Sequence, residues 1–328
     1  MSAPTSGKLR IGYIPEHFAS PLLLLARSPW GQDHITLVPC PSGTGQILTS
    51  FRDGSIDVAI ALTEALVAGI AKRAAGEEVD LKLVGSYVRS SLVWAVITGK
   101  ETKAYGSIED LAGTTLGISR AGSGSQIMGS VMALQRGWTA GNGKAPSFSI
   151  QDSFQGLRDS VNAGSTSAFM WETFTTKPYF DSGEVRKIGE VPTPWPSWSI
   201  AATRRDAALD SFLEKLEGSI HDFTSASSFA AGTPRSFIVQ ELGYQPEDVD
   251  AWLDKVRWAG DQRPNHASNT VIVGQETSTR TVSRQALVET VKVLREAGVL
   301  GEEEEKRAKD PSEIVDPWGN GREGRLVE

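Results

Sequence analysis

The sequence predicts an α/β protein with two similar lobes, because one pattern occurs twice along the chain. Residues 45–60 and 156–172 each show an amphipathic helix that ends at a glycine and is followed by a short apolar strand. Glu64 follows the first strand and Glu172 ends the second. Each unit is preceded by another strand with a glycine, at residues 9–13 and 115–118. Two such units predict two lobes with a cleft between them, where small molecules usually bind.

The elements of the first lobe follow from apolar runs separated by glycine and proline. Strands alternate with helices at a spacing that favours a mainly parallel sheet with crossover connections. The predicted strands are residues 9–13, 35–38, 57–61 and 81–87, and the predicted helices include 46–52 and 64–74.

The second lobe is predicted to span residues 98–197, with residues 8–92 and 204–328 forming the first lobe and its C-terminal helices. The chain would cross between the lobes near residues 91–98, a long apolar strand, and return near 197–203. Ser107 is placed to cap a helical turn at residues 107–111.

The C-terminal part is predicted to be helical at residues 206–223, 234–242, 247–258 and 284–297, with Gly298 ending the last helix. The charge run at residues 302–307 is typical of a solvated or frayed segment, and the final stretch is predicted to lie on the surface.

Composition excludes several classes of function. The net charge of −7 argues against a nucleic-acid partner, which would require a concentrated basic patch. The longest apolar run near the N-terminus, residues 22–26, is far shorter than a membrane span, so no membrane insertion is expected. The first residues lack the features of a secretory signal, which predicts a cytoplasmic location. The single Cys40 excludes an intramolecular disulfide and a multi-cysteine metal site.

The motifs of common enzymes are also missing from the sequence. It contains no G-x-S-x-G elbow, no H-E-x-x-H and no phosphate loop with its lysine. Four histidines lie far apart from one another and from Cys40, so no metal site is expected. We therefore favour a non-catalytic binding protein without a cofactor.

Several weak motifs together resemble the type 2 periplasmic-binding-protein fold, over nearly the whole chain. They are Leu9-Arg10-Ile11-Gly12-Tyr13, Ser42-Gly43-Thr44-Gly45, Gly54-Ser55-Ile56-Asp57-Val58-Ala59, Ile108-Glu109-Asp110-Leu111-Ala112-Gly113, Gly122-Ser123-Gly124-Ser125 and the segments 294–300 and 311–316. The chain looks most like the group that binds sulfonates, nitrate or thiamine-pyrimidine precursors, and within it like soluble fungal members without a signal.

This resemblance implies capture of a small polar ligand, anionic or heteroaromatic, by closure of the two lobes about a hinge. One alternative is an enzyme similar to the thiamine-pyrimidine synthases of this fold, which use pyridoxal phosphate on a lysine, iron and a cysteine-rich segment. That segment is absent here, and the nearest lysine, Lys72, falls on a helix. A second alternative is a sensor or scaffold whose closed state is read by an unidentified protein partner.

The loop 119–125 is the strongest candidate for ligand contact, because it follows a strand and precedes a predicted helix at 126–136. Its glycines allow close backbone approach, its serines and Arg120 add donors, and a helix start attracts anions. A serine N-cap with a tight turn is the structural alternative. Ser42-Gly43-Thr44-Gly45 is the equivalent loop of the first lobe, with the same two interpretations.

Six further residues have both a binding and a structural interpretation. His17 lies in a loop where relatives that bind thiamine-pyrimidine precursors carry a histidine, and otherwise it would be a surface histidine; Phe18 would stack on a ring or fill the core. Glu64 and Glu172 would bind an amino or cationic group of the ligand, or each would cap the N-terminus of a helix, where its negative charge interacts favourably with the helix dipole. Trp171 and Trp195 would form an aromatic wall or belong to the core. The complete set of candidate ligand-binding residues is Glu16, His17, Phe18, Ser42, Gly43, Thr44, Glu64, Arg120, Ser123, Gly124, Ser125, Trp171, Glu172 and Trp195.

Overall fold

The computed structural model describes residues 7–73, 79–261, 263, 278–316 and 325–327. The first part of the chain alternates strands and helices as predicted. In chain order these are β1 (Leu9–Tyr13), α1 (Ser20–Arg27), α2 (Pro29–His34), β2 (Ile35–Pro39), α3 (Thr44–Arg52), β3 (Val58–Leu62), α4 (Thr63–Ala71) and β4 (Lys82–Val88). The predicted end of the fourth helix, Ala74, lies outside the described residues.

The second part repeats this alternation. Its elements are β5 (Val93–Gly99), β6 (Thr115–Ile118), α5 (Gly124–Gln135), β7 (Ser147–Ile150), α6 (Phe154–Asn162), β8 (Ala168–Glu172), α7 (Thr173–Asp181) and β9 (Val185–Pro192). A short 3-10 turn, Ile108–Leu111, precedes β6. Ser107 caps this turn as predicted, in a reciprocal capping box with Asp110.

The chain then returns to the first sheet and ends in helices that pack mainly on the first lobe. The elements are β10 (Trp198–Ala202), α8 (Ala207–Thr224), α9 (Ala226–Ala230), α10 (Thr233–Leu242), α11 (Pro246–Lys255), β11 (Val282–Ser283), α12 (Arg284–Glu296), α13 (Glu302–Ala308), α14 (Pro311–Ile314) and β12 (Leu326–Val327). Among the described residues, no helix has both the length and the apolar character that crossing a bilayer requires.

The structure revises two predictions for the C-terminal part. The charge run at residues 302–307 is solvated, as one of its two interpretations had it, but it forms helix α13 and is not frayed; Arg307 donates from it to the backbone oxygens of Ala71 and Arg73 at 2.7 and 2.6 Å. Of the final stretch, which was expected on the surface, only residues 325–327 are described after residue 316, and of these Arg325 is buried and the other two are half-buried. Arg325 donates to the Val84 oxygen at 2.8 Å and to Asp316 at 3.2 Å, which ties this residue to the first sheet.

Each lobe contains a five-stranded sheet in which four strands run in one direction and one runs in reverse. The orders are β2-β1-β3-β10-β4 in the first lobe and β7-β6-β8-β5-β9 in the second. β10 is antiparallel to both of its neighbours, and so is β5. The sheets are therefore mainly parallel, and the carboxyl ends of four strands in each face the other lobe.

The reversed strands adjoin the two segments that connect the lobes. The expected crossings at 91–98 and 197–203 contain β5 and β10, which belong to the sheets, and the chain passes between the sheets at residues 89–92 and 193–197. These two segments lie side by side, since the backbone N–H of Thr193 donates to Leu92 at 2.9 Å and that of Ser197 to Ser90 at 3.2 Å. Two short, mutually bonded segments are a suitable hinge.

A continuous apolar core extends from the first lobe into the second. β3 is buried along its whole length, as expected for a central strand with helices on both faces. β1 lies close to the loop before β3, because a Cβ at Gly12 would lie 2.7 Å from Cδ1 of Ile56. A smaller apolar cluster, which includes Phe169 and Trp171, covers the other face of the second sheet. This packing holds the strand ends of both lobes in place around the cleft.

Candidate functional site

A small cavity lies between the lobes, at the edge where the parallel strands end. Its volume is about 30 Å³, enough for a group of a few atoms in the present closed arrangement. Both lobes supply its wall, which consists of Ile14, Glu16, Ser42, Gly43, Thr44, Leu62, Leu92, Trp94, Ser119, Ser123, Gly124, Ser125, Trp171, Glu172 and Trp198. Open α/β sheets place their ligands at this edge.

Two tryptophans occupy equivalent positions in this wall. Trp198, on reversed strand β10, pairs with Leu62 at the end of β3, and Trp94, on reversed strand β5, pairs with Glu172 at the end of β8. Both side chains are buried, and neither indole Nε1 has a hydrogen-bond partner among the described residues. A buried N–H without an acceptor costs free energy. Two such donors at one small cavity indicate that it is built to receive an acceptor.

Two helices from opposite lobes begin at the cavity. α3 starts at Thr44 and α5 at Gly124, and the first N–H groups of a helix have no acceptor within the helix. Ser123 is the N-cap residue of α5, but its hydroxyl does not cap the helix. It lies 2.9 Å from the hydroxyl of Ser125 instead. The structural alternative for this loop, a serine cap, is therefore incomplete, and the hydroxyl groups stay at the cavity wall.

The glycine at the start of α5 is required by close packing across the cleft. A Cβ at Gly124 would lie 2.6 Å from Cδ1 of Leu62 in the other lobe and 2.8 Å from Cη2 of Trp94. Such distances are shorter than van der Waals contact, so any larger side chain would push the lobes apart or displace the indole.

Two carboxyl groups from opposite lobes also reach the cavity. Oε1 of Glu16 accepts from Nε1 of Trp171 at 3.2 Å, and Oε2 of Glu172 accepts from the backbone N–H of Thr175 at 2.6 Å. Burial, together with the charge of Glu172, raises the pKa of Glu16 to about 8. Burial raises the pKa of Glu172 to about 7, against the opposing effect of its hydrogen bonds. Glu172 thus both caps α7 and lines the cavity.

His17 lies beside this pair, without lining the cavity. Its side chain is buried, not on the surface, and it packs against Phe18, Tyr244 and Trp252 with ring centroids 4.2–4.6 Å apart. Burial holds the pKa of His17 well below its ordinary value, so the ring is neutral. Its Nε2 is 3.9 Å from Oε2 of Glu172, beyond hydrogen-bond distance. Phe18 fills the core next to it, against Trp198 and Trp252.

Glu64 and Trp195 contact each other behind the cavity wall. Nε1 of Trp195 donates to Oε2 of Glu64 at 2.8 Å, and both side chains are fully buried. Burial raises the pKa of Glu64 to about 7. Glu64 lies in the first turn of α4, whereas Glu172 is the last residue of β8, so the two glutamates are not structurally equivalent. This offset of two residues agrees with the sequence, in which Glu64 follows the first strand and Glu172 ends the second.

Arg120 lies at the rim, where it connects the two loops that begin α3 and α5. Its Nη2 donates to the hydroxyl of Ser42 at 3.1 Å, and its side chain faces a groove of about 850 Å³ between α3, α4, α5 and the end of α12. Lys72 lines the same groove. This groove is larger than the inner cavity and opens to solvent. We assign the functional site to the inner cavity, because Trp94 and Trp198, whose indole N–H groups are unpaired among the described residues, and both carboxyl groups line it.

Polar contacts hold the two lobes together on both sides of the cavity. Besides the Arg120–Ser42 and Trp171–Glu16 contacts, the hydroxyl groups of Thr175 and Tyr244 are 3.1 Å apart, and Nζ of Lys177 is 3.4 Å from Oδ1 of Asp248. These contacts join α7 to the helices that pack on the first lobe. The structure is therefore a closed arrangement of the lobes.

Of the candidate residues, nine line the cavity: Glu16, Ser42, Gly43, Thr44, Ser123, Gly124, Ser125, Trp171 and Glu172. His17, Phe18, Glu64, Arg120 and Trp195 lie around it. Their contact with a ligand stays a prediction. Trp94 was missed and Trp198 was quoted only as part of the return segment, although both line the cavity. Each of these tryptophans lies near the start of a reversed strand. This position would have predicted that they reach the cleft, had the direction of the strands been known.

Comparison with known proteins agrees with this architecture. The family described as Ca3427-like PBP matches residues 94–191. The structure of the Candida albicans CA3427 gene product, described as defining a family with the generic periplasmic-binding-protein fold, has a TM-score of 0.80 and 28% identity, covering 97% of this chain and 99% of that chain. A comparison with curated proteins found no match.

Two bacterial structures show the same fold at lower identity. The alkanesulfonate-binding protein SsuA of Xanthomonas axonopodis pv. citri, bound to MOPS, has a TM-score of 0.62 at 18% identity and covers 92% of this chain and 96% of that chain. The nitrate-binding protein NrtA of Synechocystis PCC 6803 has a TM-score of 0.60 at 14% identity, with 94% and 86% covered. The chain therefore has the periplasmic-binding-protein fold, and the prediction of that fold is confirmed.

Proposed function

We propose that this protein is a non-catalytic binding protein that captures a small polar ligand between its lobes by hinge closure. The observation that carries the proposal is the pair of buried, unpaired indole N–H groups of Trp94 and Trp198 at a cavity built by both lobes. A ligand that accepts hydrogen bonds there would satisfy donors that the protein alone leaves unpaired.

The surroundings of the cavity support binding rather than chemistry. Among the described residues of its wall, there is no lysine that would hold pyridoxal phosphate, and Lys72 lies in the outer groove. His17 is neutral and is not among the residues that line the cavity. The similarity to structures described as alkanesulfonate-binding and nitrate-binding proteins supports the binding of a small ligand.

A thermal-shift screen of the purified chain tests this proposal. The panel contains sulfonates, nitrate, carboxylates, amines, amino acids, aminopyrimidines and pyridoxal phosphate. A ligand at about 100 times its Kd adds about 2.7 kcal/mol to the free energy of unfolding, which raises Tm by several degrees.

Two variants show whether a hit occupies the cleft. Ser123→Leu fills the cavity wall and should abolish the shift, whereas Ser227→Leu on exposed helix α9 should keep it. A hit that survives Ser123→Leu would contradict binding in the cleft. Silence of the whole panel would favour the sensor or scaffold alternative, and a Schiff-base absorbance with pyridoxal phosphate would favour the enzyme.

A further inference from the structure

Two sets of polar groups with opposite chemical character line the cavity; we call them its donor wall and its acceptor wall, and they adjoin where Trp94 of the first set pairs with Glu172 of the second. One wall offers donors: the indole N–H groups of Trp94 and Trp198, the hydroxyl groups of Ser123 and Ser125, and the starts of α3 and α5. Among the described residues of this wall there is no lysine or arginine, so its donors are neutral. Neutral donors at helix starts suit an oxyanion.

The other wall carries the carboxyl groups of Glu16 and Glu172. Each already accepts one hydrogen bond, from Trp171 and from the backbone of Thr175, and each retains further acceptor capacity. In their ionised form the two groups attract an amino or cationic group and repel an anion. Because they come from different lobes, a cation between them would also draw the lobes together.

A ligand that has only acceptor groups, or only donor groups, would leave the polar groups of one wall without hydrogen-bond partners. A cation between Glu16 and Glu172 favours their ionised form, and in that form the pair repels a simple anion. A simple amine would leave both indole N–H groups unpaired. The closed cavity of about 30 Å³ also excludes a bulky ligand without further opening of the lobes.

We propose that the ligand is a compact dipolar molecule, with an oxyanion at one end and an amino group at the other. The oxyanion would accept hydrogen bonds from Trp94, Trp198 and the start of α5, and the amino group would donate to Glu16 and Glu172. This inference rests on the proposed function, because it concerns the same cleft. It adds the chemical class of the ligand, and it names Glu172 as a residue that recognises the amino end of the ligand and not its oxyanion end.

Isothermal titration of the full chain with matched probes tests the inference. β-Alanine is compared with propionate and ethylamine, and taurine with ethanesulfonate. We expect at least one dipolar probe to bind about tenfold or more tightly than either compound that lacks one end, since a hydrogen bond to a charged group is lost with that end.

Variants of the two walls should separate the two ends of the ligand. Glu172→Gln keeps the shape and should weaken a dipolar probe by about tenfold, while leaving ethanesulfonate or propionate unchanged or tighter. Trp198→Phe removes an N–H donor and should weaken dipolar and anionic probes alike. Trp30→Phe, at a ring that stacks on His34 away from the cavity, is the control and should change neither. Urea unfolding of each variant shows that the fold is retained.

The results separate this inference from the function on which it rests. Equal affinity for ethanesulfonate and taurine, or no effect of Glu172→Gln on selectivity, would overturn the dipolar ligand and leave a binding protein for anions. Binding of an aminopyrimidine but of no dipolar probe would overturn it in the same way. Silence of these probes and of the wider panel would overturn both the inference and the proposed function.

Discussion

The indole N–H of Trp171, next to the last residue of β8, donates to Oε1 of Glu16 at 3.2 Å and so joins the second lobe to the first. Glu16 belongs to the loop after β1 and stands at the same cavity wall as Glu172. One hydrogen bond therefore connects lobe closure to the ionisation of a buried carboxyl group.

Trp171→Phe should raise the pKa of Glu16 above about 8, because the N–H group that favours the ionised form is lost. Carbon-13 NMR of labelled glutamate carboxyl groups measures this titration. Trp30→Phe is the matched control and should leave it unchanged. An unchanged Glu16 titration in Trp171→Phe would show that this hydrogen bond is not formed in solution.

The free energy of unfolding should fall as the pH rises from about 6.5 to 8.5. Glu16, Glu172 and Glu64 have raised pKa values in the folded state, so their contribution is complete below their ordinary value of 4.5 and is lost as pH rises through about 7 to 8. The lowered pKa of His17 acts in the opposite direction, but only below its ordinary value of 6.5. Above pH 6.5 the three carboxyl groups therefore determine the change, and we expect the free energy of unfolding to fall by about 2 to 4 kcal/mol.

Urea unfolding at a series of pH values measures this loss. Glu16→Gln should remove about half of the slope above pH 6.5, because Glu16 has the highest pKa of the three carboxyl groups. A stability that is constant or rises over this range would contradict the closed, buried arrangement of these groups.

Gly124→Ala should open the cleft. The added Cβ would lie 2.6 Å from Cδ1 of Leu62 and 2.8 Å from the Trp94 ring, so we expect a larger radius of gyration in X-ray scattering and at least about tenfold weaker ligand binding. Gly218→Ala in α8 is the control, since nothing lies within 4 Å of its added Cβ. That control should keep ligand binding and gain about 0.5 to 1 kcal/mol of stability. Equal binding by both variants would show that the lobes do not close on Gly124.

Arg325→Ala should destabilise the first lobe by about 3 to 5 kcal/mol. Removing this buried cation takes the partner from the Val84 oxygen and from Asp210, and leaves Asp316 with only Arg205, at 3.5 Å, among the described residues. Urea unfolding measures the loss. Arg235→Ala, which breaks an exposed ion pair with Asp250, is the control and should cost less than about 1 kcal/mol. Similar losses in both variants would mean that Arg325 is exposed in solution.

Much of this fold could be predicted because its elements are encoded locally. The apolar run at β3, the helix-ending glycine Gly298 and the cap Ser107 act over a few residues and appear in the structure where the sequence predicts them. The charge run at residues 302–307 was expected to be solvated or frayed, and it is a solvated helix. Its contact with the first lobe could not be predicted, because Arg307 donates to the backbone of Ala71 and Arg73, more than 200 residues away.

The candidate site was predictable only in part, for the same reason. The loops at Ser42 and Ser123 follow strands, and strand ends meet at one edge of a parallel sheet, so sequence order alone places them at the cleft. Glu64 and Glu172 were given the same two interpretations from the sequence, yet one accepts from Trp195 behind the wall and the other lines the cavity. The difference arises because Glu64 lies in the first turn of α4, whereas Glu172 is still part of strand β8.

The amino-acid sequence alone is enough to predict the two α/β units, the loops that face each other and the class of fold, because periodicity, glycine and capping residues act within a few positions of the chain. The direction of each strand, and so which strand in each sheet runs in reverse, depends on the folded chain. That reversal brings Trp94 and Trp198 to the cleft and leaves their N–H groups without a partner among the described residues. Folding also brings Glu16 and Glu172 together from opposite lobes, where burial raises the pKa of both and the charge of Glu172 adds to the shift of Glu16. Such properties depend on contacts between residues distant in sequence, which no local pattern records.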